Sequence, residues 1–188
     1  NLILLDEAQV YNASHLFGFF SVFNADAINN VTLIKGGMPA NYGGRLASVL
    51  DISLKEVNNK SFHVDGGIGP IASRLTLQGP IKKEKSSFIV SARRTFIDLF
   101  LREPFVKKGS AADGNSYYFY DLNTKINYTL SEKDRLFLSG YFGRDVFNFS
   151  DEFGFAWGNK TATFRWNHLF SERLFSNVSV IASNFDYK

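Results

Sequence analysis

Residues able to bind metal or carry out acid–base chemistry are few in this sequence. It contains no cysteine and three histidines, His15, His63 and His168, none of which has a second histidine nearby. Zinc sites normally draw on paired histidine or cysteine ligands at short spacings. Asp151 and Glu152 are adjacent acids, but two acids in a predicted loop are more often solvated than bound to a cation. The sequence therefore predicts structural histidines and no metal site.

The two glycine pairs, Gly36-Gly37 and Gly43-Gly44, do not belong to a nucleotide-binding motif. Neither pair is followed by the lysine and serine or threonine of a phosphate loop, and neither has the spacing of a dinucleotide fingerprint. No serine lies in the Gly-x-Ser-x-Gly motif of a nucleophile elbow. We therefore expect no cofactor and a function other than catalysis.

Composition narrows the class of protein further. The chain has 188 residues, of which 45% are hydrophobic and 20 are phenylalanine, and its net charge is +3. A charge this small and scattered forms no basic stripe, so we expect no nucleic-acid partner. The longest apolar cluster, residues 16–23, is much shorter than the roughly 20 residues of a membrane-spanning helix. Because the chain opens on an apolar strand-like run without a secretory signal, we expect an internal piece of a longer protein.

From about residue 61, apolar and polar residues alternate as in half-buried β-strands. Within residues 120–130, for example, Leu122 and Ile126 fall on one face while Asp121 and Asn123 fall on the other. The pattern predicts seven strands, at residues 61–69, 72–80, 87–98, 119–130, 135–147, 161–170 and 174–186.

The connections between these predicted strands alternate between short and long. Residues 82–86, 131–134 and 171–173 are short polar turns, whereas residues 102–116 and 148–159 are long and contain glycine. Outer-membrane barrels have this asymmetry, with tight turns at one end and long loops at the other. Aromatic residues beside both long loops would lie where such barrels have interfacial girdles. These aromatic residues are Tyr117, Tyr118, Phe119, Tyr120, Phe147, Phe149, Phe153, Phe155 and Trp157.

The sequence pattern of residues 1–57 predicts a small mixed α/β unit. The run Leu2–Leu5 indicates a short buried strand, and Asn24 is a candidate N-cap for a short helix. Two further strands, residues 31–34 and 49–55, flank the glycine pairs, which indicates a tight irregular turn between them. Glycine at such a place points to an unusual backbone conformation or close packing.

A series of short motifs in fixed order covers most of the chain. The central motif consists of Lys35, Gly36, Gly37, Pro39, Tyr42, Gly43, Gly44 and Arg45, followed by Val49-Leu50-Asp51-Ile52. Before it stand Asp6, Val10-Tyr11-Asn12 and residues 15–20, and after it Ser73-Arg74-Leu75, Gly79-Pro80-Ile81 and Ser91-Ala92-Arg93-Arg94. This series resembles TonB-dependent outer-membrane receptors, in the form common among large Bacteroidota receptors.

The resemblance implies a plugged transmembrane antiparallel β-barrel of roughly 22 strands, located in the outer membrane of a Gram-negative bacterium. Residues 1–57 would form the C-terminal part of the plug, and residues 58–188 the first seven or so strands of the barrel. The implied function is import of a ligand across the outer membrane with energy from the TonB system. The implied partners are TonB, contacted through a segment outside this chain, outer-membrane lipids and a candidate outer-membrane lipoprotein. Arg45 and Arg93 would form polar contacts between plug and barrel, with ordinary solvated arginines as the alternative.

Two other functions remain open on the sequence alone. A receptor-like barrel could serve as a structural subunit of an outer-membrane assembly or secretion complex. A soluble β-sandwich adhesin has the same alternation within its strands, but it requires the apolar faces to pack against each other.

Overall fold

The computed structural model of the chain describes residues 1–44, 47–56, 60–101, 104–110, 113–149 and 153–188. Strands dominate these residues, which confirms the predicted β class, and they form two main sheets and one small hairpin. The strands are β1 (Leu2–Leu5), β2 (Ala8–Gln9), β3 (Ser14–His15), β4 (Phe20–Ser21), β5 (Ile28–Lys35), β6 (Ser48–Leu54), β7 (His63–Ile68), β8 (Ala72–Lys82), β9 (Ser86–Thr95), β10 (Ser116–Thr129), β11 (Asp134–Phe149), β12 (Phe153–Ser171) and β13 (Leu174–Tyr187). A single-turn helix, α1 (Ile97–Phe100), follows β9, and a 3₁₀ turn covers Leu16–Gly18.

The first sheet, here called the N-terminal sheet, has the strand order β2-β1-β6-β5. Strand β1 pairs in parallel with β6, and β5 pairs antiparallel with β6, so the predicted strands on either side of the glycine pairs are confirmed as neighbours. Apolar side chains of this sheet and of the following segment form a core with Leu5, Val10, Val22, Ile52 and Leu54 almost fully buried. This core lies between the N-terminal sheet and the second sheet.

The helix predicted at Asn24 does not form, because residues 25–27 adopt turns. The Asn24 side-chain oxygen accepts a hydrogen bond from the Asp26 N–H at 3.1 Å, and its amide group donates to the Ser91 hydroxyl at 2.8 Å. A side chain that bonds its own backbone two residues on favours a turn over a helix. Asn24 therefore fixes a turn that contacts the second sheet.

The second sheet, here called the C-terminal sheet, is a seven-stranded antiparallel meander with the order β13-β12-β11-β10-β9-β8-β7. All seven strands predicted from residue 61 onward form, and within the described residues β7 and β13 are its two edges. Two predicted boundaries are wrong. Strand β9 ends at Thr95 and α1 begins at Ile97, inside the strand predicted at residues 87–98. The described residues of 148–159 are mostly strand, because β11 and β12 stay paired as far as Phe149 and Phe153.

The two faces of the C-terminal sheet differ in chemistry. The inner face, which contacts the N-terminal sheet, carries polar side chains such as Ser91, Asp121, Asn123 and Thr163, all buried. The opposite, outer face carries partly exposed apolar side chains on β8 and on β10 to β13. They include Leu75, Leu77, Leu122, Ile126, Leu138, Phe164, Val178 and Val180, each between 38% and 66% exposed.

The aromatic residues expected in an interfacial girdle lie mainly on the inner face instead. Phe147 and Phe155 pair across β11 and β12, and they share the face of Asp145 because strand side chains alternate. Their rings stack at 5.0 Å, and Phe147 packs on Tyr117 at 4.1 Å and on Trp157 at 5.3 Å. The girdle interpretation is wrong for this group, which forms a core cluster on the inner face.

Across the described stretches of the chain, no helix combines the length and apolar character needed to cross a membrane.

Candidate functional site: the interface between the two sheets

The buried charges of the described residues concentrate where the N-terminal sheet meets the inner face of the C-terminal sheet. Six of the seven strands, β8 to β13, contribute a polar side chain to this interface, and every one projects from the inner face. The contacts fall into three groups along the N-terminal unit, which is the described part of residues 1–57.

The first group surrounds the turn between β1 and β2. Asp6 and Glu7 both have positive φ, 44° and 73°, so the turn has the left-handed backbone of a tight two-residue hairpin. The Lys125 ammonium lies 3.1 Å from the Asp6 carboxylate and donates to the Leu54 carbonyl at 3.1 Å. The Asp6 carboxylate also accepts the Leu54 N–H at 2.9 Å, and the Asp6 carbonyl accepts the Thr163 hydroxyl at 2.8 Å. Asp6 is thereby bonded to both sheets.

The second group, here called the histidine cluster, consists of His15, Arg93, Tyr117, Asp121, Tyr141 and Asp145. The Nδ1 of His15 lies 2.6 Å from the Asp145 carboxylate, and its Nε2 lies 3.3 Å from the Asp121 carboxylate. The imidazole stacks on the Phe119 ring at 4.1 Å with an angle of 3° between the planes. His15 is therefore held between two strands of the C-terminal sheet by carboxylates on both sides.

Arg93 completes this cluster from β9. Its Nε donates to the Asp121 carboxylate at 2.9 Å, and its Nη2 donates to the Ser21 carbonyl at 2.6 Å. The guanidinium also lies 5.1 Å above the Phe119 ring, a cation–π distance. Arg93 thus contacts the N-terminal segment through a backbone carbonyl and the C-terminal sheet through a carboxylate.

The third group is made of neutral and surface contacts. The Asn159 side-chain oxygen accepts the N–H groups of Tyr11 and Asn12 at 3.0 and 3.3 Å, while its amide donates to the Asn12 carbonyl at 2.8 Å. The Asn159 side chain thus supplies backbone hydrogen bonds that a neighbouring strand would otherwise make with residues 11–12. Nearer the surface, Arg74 pairs with Asp26 at 2.6 Å.

The described residues of the glycine motif lie away from these contacts. Lys35 ends β5, and Gly36 and Gly37 follow it with φ of 69° and 52°, a conformation that explains glycine at both places. The Tyr42 N–H bonds the Pro39 carbonyl at 3.0 Å. The Tyr42 hydroxyl donates to the Asp51 carboxylate at 2.8 Å, and this bond raises the pKa of Tyr42 above its usual 10.0. Gly43 and Gly44 follow Tyr42, and Arg45 lies outside the described residues.

Sequence reasoning singled out Arg93 but missed His15, Asp121, Asp145, Lys125 and Asp6 as site residues. The available signal was charge on the polar face of strands, where Asp121 and Lys125 stand among neutral side chains. Nothing local in the sequence connects His15 with Asp145, which lies 130 residues away. The described residues contain no group of three or more histidine, cysteine or acidic side chains placed to hold a metal ion.

The histidine cluster can hold two parts of the chain together through paired charges. Its nucleophilic groups are the Tyr117 and Tyr141 hydroxyls, both buried, and the Tyr117 hydroxyl is engaged with Asp145 at 2.8 Å. Buried, paired charges at such an interface fix how the two parts are arranged, because an unpaired partner would be left in a desolvated site.

Of the comparisons with known proteins, the one with solved structures informs on the fold. No protein-family model matches the chain, and no curated protein is significantly similar to it. Among solved structures, the crystal structure of the siderophore receptor PirA from Acinetobacter baumannii matches 99% of this chain with a TM-score of 0.62 at 15% sequence identity. The match covers 32% of that receptor, so the chain spans about a third of its length. This chain is thus similar in fold to part of a siderophore receptor.

Proposed function

We propose that this chain is part of an outer-membrane receptor of the TonB-dependent type, in which residues 1–57 form the end of a plug and residues 58–188 the first seven strands of the barrel. The barrel would have roughly 22 strands, as in plugged outer-membrane transporters. The observation that carries the proposal is the opposite chemistry of the two faces of the C-terminal sheet. Its polar face is covered by the N-terminal sheet, and its apolar face is exposed.

This arrangement argues against the soluble β-sandwich. A sandwich buries the apolar faces of two sheets against each other. Here the N-terminal sheet lies on the polar face, and Leu122, Leu138 and Val180 on the other face stay 39%, 50% and 66% exposed. An exposed apolar surface of this extent suits contact with lipid hydrocarbon, and a polar face suits the lumen of a barrel.

The buried ion pairs support a role for residues 1–57 as a plug. Lys125 projects from the inner face and pairs with the Asp6 carboxylate. Arg93 projects from the same face and donates to the Ser21 carbonyl. We infer that Arg93 helps to hold the plug in the lumen, while the role of Arg45 stays a prediction from the resemblance. The outer-membrane lipids contact the outer face, and a lipoprotein partner is a further candidate.

The proposed activity is import of a ligand across the outer membrane with energy supplied through TonB. PirA is a siderophore receptor, so ferric siderophores are the first class of ligand to test. The alternative is a structural subunit of an outer-membrane assembly or secretion complex.

The test measures uptake and surface binding of radiolabelled ferric siderophores in cells with and without the full-length protein, each in the presence and absence of TonB. Uptake that needs this protein, TonB and the proton gradient, with surface binding that needs neither TonB nor the gradient, is the expected result. The proposal is overturned if removal of TonB leaves every uptake unchanged while removal of this protein depletes other outer-membrane proteins. That outcome would assign the structural role instead.

A further inference from the structure

His15 is the most completely enclosed titratable group among the described residues of 1–57. It is 1% exposed, and the two carboxylates that flank it, Asp121 and Asp145, are 2% and 1% exposed. A neutral imidazole has one N–H and one bare nitrogen, so it can donate to one carboxylate while its bare nitrogen faces the other. The charged imidazolium donates at both nitrogens, which matches a carboxylate at each end of the ring.

The charge balance of the cluster also requires the imidazolium. The titratable and charged groups facing His15 are Asp121 and Tyr117 from β10 and Tyr141 and Asp145 from β11, with Arg93 of β9 paired to Asp121. With neutral tyrosines these groups carry two negative charges and one positive charge. A neutral His15 would leave one buried carboxylate uncompensated, whereas a charged His15 brings the cluster to zero.

The segment that carries His15 has a strained backbone. Leu16 and Phe17 have φ of 50° and 52°, a left-handed conformation that costs a non-glycine residue energy. The Asp145 carboxylate bonds the His15 ring through one oxygen and the Leu16 N–H, at 3.1 Å, through the other. The segment closes on itself where the Val22 N–H bonds the Ala13 carbonyl at 3.1 Å. A single carboxylate of the C-terminal sheet thus fixes both the ring and the strained turn.

We propose that residues 13–22 form a latch on the inner face of the C-terminal sheet that is closed when His15 is charged and opens when His15 loses its proton. The latch is a conformational device beyond the proposed transport activity, and it concerns only the contact between this segment and the sheet. Opening would release the strained turn and expose the segment between Ala13 and Val22.

The pKa of His15 agrees with a closed latch at neutral pH. Burial lowers its pKa, but the hydrogen bonds and charges of Asp121 and Asp145 outweigh burial, and the pKa is raised above the usual 6.5. A group whose pKa is raised in the closed state stabilises that state fully below its pKa in the open state. This stabilisation is lost as the pH rises through the higher pKa of the closed state. The latch therefore opens with increasing pH, starting above about pH 6.5.

The experiment measures access to a buried position inside the latch. The chain contains no cysteine, so Val22→Cys and Phe19→Cys each introduce the chain's single thiol. Val22 is 1% exposed and reports opening, while Phe19 is 83% exposed and corrects for the pH dependence of the thiol itself. Each variant is made in the full-length protein with any cysteine outside these 188 residues changed to serine. Outer-membrane vesicles that contain it are treated with a maleimide reagent from about pH 5.5 to about pH 9. The quantity of interest is the ratio of the two labelling rates.

We expect this ratio to stay low and constant below about pH 6.5 and to rise above it by up to about tenfold per pH unit, the limit for release of one proton. In a His15→Asn background the ratio should be high at every pH. His63→Asn, at an exposed histidine that contacts Ser61, is the matched control and should keep the original profile. A ratio that does not change with pH in the His15 protein, or an equal rise with pH in the His15→Asn protein, overturns the proposal. If the His15→Asn protein does not assemble, the labelling ratio of the His15 protein as a function of pH decides the proposal alone. Neither result for the latch changes the outcome of the uptake test with and without TonB.

Discussion

Lys125 is the cation whose loss should cost the interface most. Its side chain is 3% exposed and pairs with Asp6, which is equally enclosed. The Lys125→Met change keeps an apolar side chain of similar length but leaves the Asp6 carboxylate buried without a cation. Removing one partner of a buried pair typically costs about 3–5 kcal/mol. We expect a clear drop in the thermal unfolding midpoint of the full-length protein in detergent, measured by circular dichroism.

Arg74 on β8 provides the comparison for this change. It lies 2.6 Å from Asp26, and its side chain is 50% exposed. Exposed pairs contribute only about 0–1 kcal/mol, so Arg74→Met should leave the midpoint nearly unchanged. The double change Asp6→Asn with Lys125→Met should recover part of the lost stability, because it removes the uncompensated charge. Equal midpoints for Lys125→Met and Arg74→Met would contradict a buried pair at this interface.

At the scale of the strand, β13 offers adjacent positions on opposite faces. Val180 projects from the outer face and is 66% exposed, while Ser179 projects from the inner face opposite Arg165. If the outer face contacts lipid, Val180→Lys places a charge in hydrocarbon at a cost of about 2–4 kcal/mol near the membrane midplane. Ser179→Lys places the same charge on the polar face. We expect a large loss of folded protein in the outer-membrane fraction for Val180→Lys and little loss for Ser179→Lys, whereas equal losses would argue against a lipid-facing surface.

For the whole molecule, the exposed apolar face predicts how the 188 residues behave without the rest of the protein. Among the described residues, nothing covers the outer face, and β7 and β13 are the unpaired edges of the C-terminal sheet. Both features promote association. We expect the isolated chain to aggregate in buffer without detergent, as measured by size-exclusion chromatography with light scattering. A monodisperse chain that unfolds cooperatively in plain buffer would contradict the barrel proposal.

The sequence alone determined the strands and the chemistry of their faces. The period-two pattern around Leu122 and Asp121 is local, because successive side chains of a strand point to opposite sides whatever the strand pairs with. This local pattern was sufficient to predict the seven strands of the C-terminal sheet and its apolar and polar faces. The same alternation places Phe147 and Trp157 on the face of Asp145, but their position near strand ends suggested a girdle instead.

Only the tertiary structure decided which polar residues meet. His15 contacts Asp145 across 130 residues, and Asp6 lies against Lys125 from a position 119 residues earlier in the chain. Such pairs depend on how the N-terminal sheet rests on the inner face, which no local spacing records. The length of the β11–β12 hairpin was likewise decided by pairing, since cross-strand partners continue through residues whose glycine and asparagine content predicted a loop. Local periodicity therefore predicts the strands and their faces, whereas the interface between the two sheets arises from contacts between segments far apart in the chain.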